Sequence, residues 1–554
     1  MRPKGFLALV LHAHLPFVRH PEHERCLEEE WLFEAITETY LPLLEVFETL
    51  VRDGVPYGVT LSLSPTLLAM LTDPLLQSRY LRYLDERLRA LAGEHARTRQ
   101  DRQLHPLVLF YERRYEQLRQ RFAGEPDITR AFRRLMESGH LEILTSAATH
   151  GYLPLLAAQP WSLHAQLAMA VRTHERILGR SPRGIWLPEC GYLPGFDRVL
   201  DDFGLDHFFL ESHGILNAEP RPRHGVHRPL HTPAGPVAFG RDFESSLQVW
   251  SADSGFPGDS LYRDFYRDAG FDVDAPHMLT LRHAGTPGFT GLKYHRVTGK
   301  GAWKELYRPE WAHARAAQHA DHFLQDRGRQ AQRLARSCDA PPVIVAAYDA
   351  ELFGHWWFEG PQWIDSLLRA VAGGQHGLET VTSAGYLDCY CNRLQTATAA
   401  ESSWGAGGFH EVWLNDSNDW IYPHLHAAVE RMVALQRRFP DCTGTTREAL
   451  DQAARELLLA QTSDWAFIMR TGTAVDYAVR RFKTHIHRFH RLGDMADPAR
   501  YDGSYLHAVA ARDNPFPDID YRIFRDGYRI PGPAPSRPAG HRDSADGTDR
   551  NRRA

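Results

Sequence analysis

No segment of this chain approaches the ~18 consecutive apolar residues that a membrane-spanning helix requires. The N-terminal run Gly5–Leu11 is seven residues long and leads straight into His12. That is too short for the apolar region of a secretory signal and has no small-residue cleavage site after it. It reads as a buried first strand, and a cytoplasmic protein is expected. Cysteine is scarce, six in 554 residues, and only Cys389 and Cys391 come close, as C-x-C. Neither a disulfide scaffold nor a paired-cysteine metal site is indicated. An excess of one charge is missing too: 64 Lys+Arg face 69 Asp+Glu, a formal −5. That balance makes no case for nucleic acid or an anionic membrane as the main partner. There is no internal repeat, and nothing specifies an oligomer. At 43% apolar and 24% charged the chain is an ordinary globular one, long enough to bury a core without metal or disulfide staples. The abundant residues are the unusual ones: 31 His, 13 Trp and an aromatic share of 11%. Such a composition suits a ligand with flat faces, sugars among them.

Length alone suggests three or four domains, unless one large α/β barrel absorbs most of the chain. The opening strand leads to a helix from about Trp31 to Arg52. Leu32, Ile36, Tyr40, Leu43, Phe47 and Leu50 fall on one face of it, and Gly54 is placed to cap it. A second strand, Tyr57–Leu63, completes a β-α-β start, the unit of parallel sheets. Residues 70–138 read as an arginine-rich helical insertion whose interleaved acids mark solvated helix faces. Strand-like runs recur at Leu141–Leu144, Gly184–Leu187, His207–Leu210, Pro236–Gly240 and Val343–Tyr348. Such βα repetition favours a barrel over an open sheet. Beyond about 400 the pattern is helical, with Thr445 and Glu448 spaced as a capping box. The expected division is a barrel over 1–395, a helical domain over 396–525 and a disordered tail over 526–554.

Reactive groups in βα barrels sit where strands end, and four strand ends carry polar residues. His12 and His14, two apart on a strand, face one space; satisfied core histidines, a metal pair and a sugar-binding pair all fit. His150 follows the strand containing Glu142. Glu189 ends a short strand, fixed by Pro188 and released by Gly191. Asp349 terminates the most apolar strand, just before His355-Trp356-Trp357. Two carboxylates on different strands, beside histidines and tryptophans, are what glycoside chemistry uses: an acid and a nucleophile flanking a sugar.

The motifs H-A-H-L-P-F at 12–17, G-H-L-E-I at 139–143, W-L-P-E-C-G-Y at 186–192, Y-D-A-E-L-F-G-H-W-W at 348–357 and W-G-A-G-G-F-H-E-V-W-L-N at 404–415 resemble, in order, the signature regions of glycoside hydrolase family 57. With V-W-S-A-D-S-G-F-P-G-D at 249–259 they are most similar to its α-1,4-glucan branching enzymes, from residue 5 to about 525. The resemblance implies a (β/α)7 barrel with a helical insertion and a C-terminal all-helical domain closing over the cleft. It implies a retaining enzyme acting on amylose or glycogen, with Glu189 as nucleophile and Asp349 as general acid/base, and no metal or other cofactor. It places His12, His14 and His150 at the cleaved bond and Arg241, Trp250, Gly258, Trp404, Trp413 and Asp464 along the glucan chain. In that scheme the charge on Glu189 keeps Asp349 protonated until Glu189 is esterified.

The chain departs from this pattern in one place. The family's branching enzymes carry a long loop, with a tyrosine reaching over the site, between the nucleophile and the Arg241 position. Here only 51 residues separate Glu189 from Arg241, and no tyrosine occurs between Tyr192 and Tyr262. A covering loop shortened to Asn217–His231 favours an α-amylase or 4-α-glucanotransferase of the same family as the alternative. Two readings come from other classes. One is a divalent metal on His12, His14 and an aspartate, as in a deacetylase-like site, which leaves Glu189 without a role. The other is a glucan-binding protein with little turnover.

Overall fold

The computed structural model describes residues 3–251, 254–281, 286–299, 301, 303–374 and 376–525. The tail expected at 526–554, and Ala252 and Asp253 of the 249–259 motif, lie outside the described residues.

The strands are β1 (Gly5–Ala13), β2 (Val59–Leu63), β3 (Leu141–Leu144), β4 (Gly184–Ile185), β5 (His207–Leu210), β6 (Leu230–His231), β7 (Val237–Gly240), β8 (Val343–Asp349), β9 (Leu378–Thr380) and β10 (Gln395–Thr396). They form two ladders, β3-β2-β1-β8 and β10-β6-β7-β5-β4. Thr145 pairs in parallel with Ile185, and the Asp242 N–H donates to the Val345 carbonyl at 2.9 Å. These two seams close β1-β2-β3-β4-β5-β7-β8 into a barrel of seven parallel strands. The fold is thus the expected (β/α)7 barrel with a helical C-terminal part.

The alternation of strand side chains decides what the barrel encloses. Ala8, Val10, Leu144, Phe209, Phe239, Val345 and Ala347 form one buried cluster. Below them Glu142, His207, Thr60 and Ser383 make a closed polar layer. Above them, at the C-terminal strand ends, stand His12, Ser62 and Asp349.

The first helix differs from its sequence pattern. It begins at Leu27 and is interrupted by a π turn, Ile36–Tyr40, before resuming over Leu41–Arg52. Gly354 explains the pinning of this turn: a Cβ there would lie 1.7 Å from the Glu38 carbonyl oxygen. At the far end Gly54 adopts φ +69°. Its N–H reaches the Val51 carbonyl and that of Val55 the Leu50 carbonyl, at 3.1 and 2.9 Å, the Schellman cap anticipated for it. Helices Pro74–Thr98, His105–Gly124 and Thr129–Glu137 occupy the expected insertion.

Residues 404–420 are not helical. A short 3-10 turn, Ala406–Gly408, precedes the helix Ile421–Arg438, because three glycines in five residues favour a loop. The helix Gly444–Ala460 begins one residue before Thr445 and has no side-chain cap, so the capping box is not formed. The C-terminal helices share one apolar core with β4 and β5, through Ile185, Phe208, Leu457 and Trp465. No helix among the described residues is long and apolar enough to cross a membrane.

Candidate active site

A cleft of about 690 Å³ opens over the C-terminal strand ends. His12, His14, His150, Glu189, Arg241, Trp250, Asp349, Trp404 and Asp464 all line it. His12 and Asp349 are register partners on neighbouring strands. Glu189 follows β4, and helix Ser463–Thr471 brings Asp464 in from the C-terminal part.

Glu189 sits in a tight turn, Pro188–Cys190, with φ +60°, and Cys190 follows at +51°. Gly191 itself has φ −71°, so the left-handed steps fall on the glutamate and the cysteine. Gly191 is needed for space, since a Cβ there would meet the Tyr152 ring at 2.6 Å. His150 has φ +54°. A strained left-handed backbone at side chains that face a cleft is a recurrent mark of functional sites.

Two donations from Trp404 hold Glu189. The indole Nε1–H reaches Oε2 at 2.7 Å, and the main-chain N–H reaches the Glu189 carbonyl at 3.0 Å. His150 Nδ1 lies 3.9 Å from Oε1. His12 and His150 share a hydrogen bond between their Nε2 atoms at 3.0 Å, and Ser62 and Ser463 hold their Nδ1 atoms at 3.1 and 2.9 Å. Burial, then the neighbouring histidines, pushes both far below the usual imidazole range. Both are therefore neutral, and one donates where the other accepts. His14 Nε2 meets Asp464 at 2.9 Å, and its Nδ1 meets Ser64 at 2.8 Å. Arg241 pairs with Glu211 at 2.9 Å and lies 5.4 Å from the Trp404 ring centre.

Burial raises both carboxyls, Glu189 to about 8 and Asp349 to about 6. For Glu189 the Trp404 donor opposes the rise, while Asp464 and Asp349 add to it. For Asp349 the charges of Arg241 and His14 pull back. The order is the reverse of the sequence expectation, in which the Glu189 charge raises Asp349. Arg241 and His14 favour the charge on Asp349, and at neutral pH the two carboxyls together carry one proton.

Gly258 and Trp413 do not line the cleft. Gly258 lies on an exposed turn. Trp413 is 1% exposed and stacks on Tyr152 at 4.2 Å; its position is a core one, under the loop that carries Trp404. Cys190 is buried, and burial with the nearby Glu211 pushes its thiol up, so it is no nucleophile at neutral pH. The residues from 212 to 240 pack away from the cleft. Glu219 pairs with Thr398, and Arg228 is held by Tyr386 and the Arg393 carbonyl.

Six further cleft residues were given no role by sequence: Trp31, Glu34, Glu351, His355, Trp356 and Phe467. Glu351, His355 and Trp356 had a signal, lying in the same motif as Asp349. Glu34 and Phe467 had none, being helical positions whose exposure only packing defines.

His14, His150 and Asp464 offer donor atoms within 4.8 Å of one another, as a metal site would. However, the two imidazoles are stacked face to face, 3.8 Å apart at 13°. Their in-plane lone pairs run side by side rather than converging at the ~2.0–2.1 Å a zinc ion needs. His14 Nε2, moreover, is already committed to Asp464. The cluster fits a hydrogen-bonded sugar-binding wall better than a metal centre.

Residues 8–388 match Glycosyl hydrolase family 57, and residues 424–524 match the C-terminal region of 1,4-alpha-glucan branching enzymes. A 1,4-alpha-glucan branching enzyme of Thermococcus kodakarensis is 36% identical over 93% of this chain and 77% of its own length. Among solved structures, an alpha-amylase of Thermotoga maritima superposes with a TM-score of 0.88 at 42% identity, covering 95% of this chain and 99% of that one. A family 57 branching enzyme of Pyrococcus horikoshii superposes at 0.86 with 34% identity, covering 95% and 98%. With its seven-stranded barrel and a family match running from residue 8 to residue 388, this chain belongs to glycosyl hydrolase family 57.

Proposed function

We propose that this chain is an α-1,4-glucan branching enzyme that works by retaining transglycosylation. The observation that carries the reading is the pair Glu189, in the turn after β4, and Asp349, at the end of β8, facing one cleft lined by histidines and tryptophans, with Glu189 clamped by Trp404. The match of residues 424–524 to a branching-enzyme C-terminal region favours branching over other glucan chemistry.

The single proton of the carboxyl pair is what the reaction requires. As positive charge grows at the anomeric carbon, it favours the ionised form of Glu189 and leaves the proton to Asp349. Asp349 protonates the departing glycosidic oxygen while a Glu189 oxygen bonds to the anomeric carbon, giving a glycosyl ester and a freed chain end. Asp349 then takes the proton from the 6-hydroxyl of an acceptor glucan. The acceptor oxygen bonds to the anomeric carbon, the ester C–O bond breaks, and the Glu189 carboxylate returns. His12, His14, His150 and Asp464 hold the sugar at the cleaved bond, and Trp250, Trp404 and Arg241 bind flanking parts of the chain. The thiols are all unpaired, which suits a reducing, cytoplasmic setting for this chemistry.

A second reading, α-amylase, has its own support. No residue from 212 to 240 lines the cleft, and the Thermotoga maritima relative at 42% identity is an alpha-amylase. Incubation with amylose, debranching of the product, and a count of new chains against new reducing ends decides between them. New branches with conserved reducing ends establish branching; reducing ends without branches establish hydrolysis.

A further inference from the structure

The helix Leu27–Ala35 presents Glu34 to the cleft, one position before Ala35, which also lines it. The π turn that follows, Ile36–Tyr40, gives two further polar groups their places. Glu38 is fully engaged: Arg263 meets it at 2.8 Å and His355 Nδ1 at 3.1 Å. Tyr40 donates its hydroxyl to Glu351. The Gly354 backbone packs against Glu38 so closely that it pins this turn to the loop after β8. Of these three, Glu34 alone has no hydrogen-bond partner among the described residues; the His355 Nδ1 lies 3.9 Å from its carboxyl. An unpartnered polar group facing a cleft is available to a ligand.

Its location says which part of a ligand. The groups around Glu189 are Trp404, Ser463, Asp464 and His150. Those beyond Asp349 are Glu351, two residues on in a 3-10 turn, and Tyr40, both of which sense the Asp349 charge. Glu34 and His355 continue this second wall, and Trp356, 51% exposed, edges it. In a retaining transfer the leaving chain and the acceptor both meet the acid/base. The acceptor therefore occupies the Asp349 side of the cleft, once the glycosyl unit is attached to Glu189.

We propose that Glu34, backed by Glu351 and His355, binds hydroxyls of the acceptor glucan and so sets how often the glycosyl-enzyme is resolved by sugar rather than water. This rests on the transglycosylation reading above. Burial and the repulsion of Glu38 keep Glu34 protonated to about pH 8. A neutral carboxyl both donates and accepts, which suits an uncharged polyol. In the transfer step the acceptor hydroxyl gives its proton to Asp349 and its oxygen to the anomeric carbon, as the ester bond to Glu189 breaks. Glu34 orients the acceptor and exchanges no proton.

The test is the ratio of branch points to new reducing ends made from amylose by wild type, Glu34→Ala and Glu34→Gln. The ratio does not depend on how much enzyme is folded, so a merely structural role leaves it unmoved. Glu34→Ala is expected to lower it about tenfold, the loss of one or two hydrogen bonds, and to raise the amylose concentration that half-saturates branching. Glu34→Gln, which keeps a donor and an acceptor, is expected to stay within about threefold of wild type. A wild type that branches, with an unchanged ratio in Glu34→Ala, overturns this inference alone, as does a Gln variant as poor as Ala. A wild type that yields reducing ends only overturns the branching reading and the acceptor role with it.

Discussion

Trp404 grips Glu189 twice, by an indole hydrogen bond to the carboxyl at 2.7 Å and a main-chain hydrogen bond to the carbonyl at 3.0 Å. The second contact fixes the strained turn. The first favours the ionised carboxyl against a burial that drives it upward. One side chain thus connects the geometry of the candidate nucleophile to its charge, and the two contributions are separable by mutation.

Trp404→Phe removes only the indole donor and leaves the main-chain clamp. A hydrogen bond to a charged group is worth about 1.5–3 kcal/mol, so kcat/KM should fall roughly 10- to 150-fold. In the proposed mechanism Glu189 reacts ionised, so its carboxyl, pushed further up, should move the pH profile toward alkali. A matched loss of rate with an unmoved profile would show that Trp404 acts by shape alone.

The carboxyl pair itself predicts a bell-shaped pH profile for kcat/KM. Below about 6 both Glu189 and Asp349 are protonated and the proposed nucleophile is lost; above about 8 both are ionised and the proposed acid is lost. The limbs belong to the pair rather than to either residue. Initial rates on amylose from pH 4 to 10 read them directly, and a profile with a single limb would contradict the shared proton.

The strand ends were legible because a carboxylate or imidazole that terminates an apolar run has few structural reasons to be there. His12, Glu189 and Asp349 were found on that signal, and the positions of β3, β5 and β8 came from the same apolar runs. Pairing was less legible: β4 has only two residues, and the two seams that close the barrel rest on a few backbone hydrogen bonds around Thr145 and Asp242. Trp413 and Trp404 sit nine apart in one motif and look alike, yet one fills a core and the other a cleft. Glu34 carries no mark at all: it is one acidic position on the helix Leu27–Ala35, and only packing turns it toward the cleft.

Glu142 shows how a polar residue in a signature motif can serve the barrel instead of the substrate. It lies at the bottom of the barrel with His207 at 3.1 Å, and Ser383 and the Ala384 N–H bond it at 2.7 and 2.8 Å. Burial opposes both charges. Even so, Glu142 and Asp206 hold His207 up near 9, while His207 and the hydrogen bonds hold Glu142 below its usual range. His207, raised above its unfolded value of ~6.5, stabilises fully below that pH and loses the contribution as pH passes about 9. Glu142, lowered, stabilises above its unfolded value of ~4.3 and loses this on acidification. Melting temperature should therefore be highest between about pH 5 and 7 and fall on either side. His207→Gln should cost about 3–5 kcal/mol by leaving Glu142 without its cation and should abolish the alkaline part of the decline. A melting curve of that variant with an unchanged alkaline slope would locate the effect elsewhere.

Trp413 supplies the contrasting case to Trp404. It is buried at 1% exposure, stacked 4.2 Å from Tyr152, and its ring lies where a Cβ on Gly405 would meet it at 2.7 Å. Truncation to alanine opens a cavity under the 404–413 loop and should cost about 3–5 kcal/mol of stability. Because that loop carries the Glu189 clamp, activity should fall as well, but by the folded fraction and by loop disorder rather than by lost glucan contact. The two explanations diverge on measurement. If Trp413 is core, Trp413→Phe, which keeps much of the stacking volume, should restore both melting temperature and kcat/KM toward wild type, with no change in the length of glucan needed for activity. If Trp413 touches the glucan, the Phe variant should melt normally while its requirement for longer substrates rises. The burial and the stacking distance favour the first outcome, and glucans of graded length, assayed beside thermal melts, give the answer.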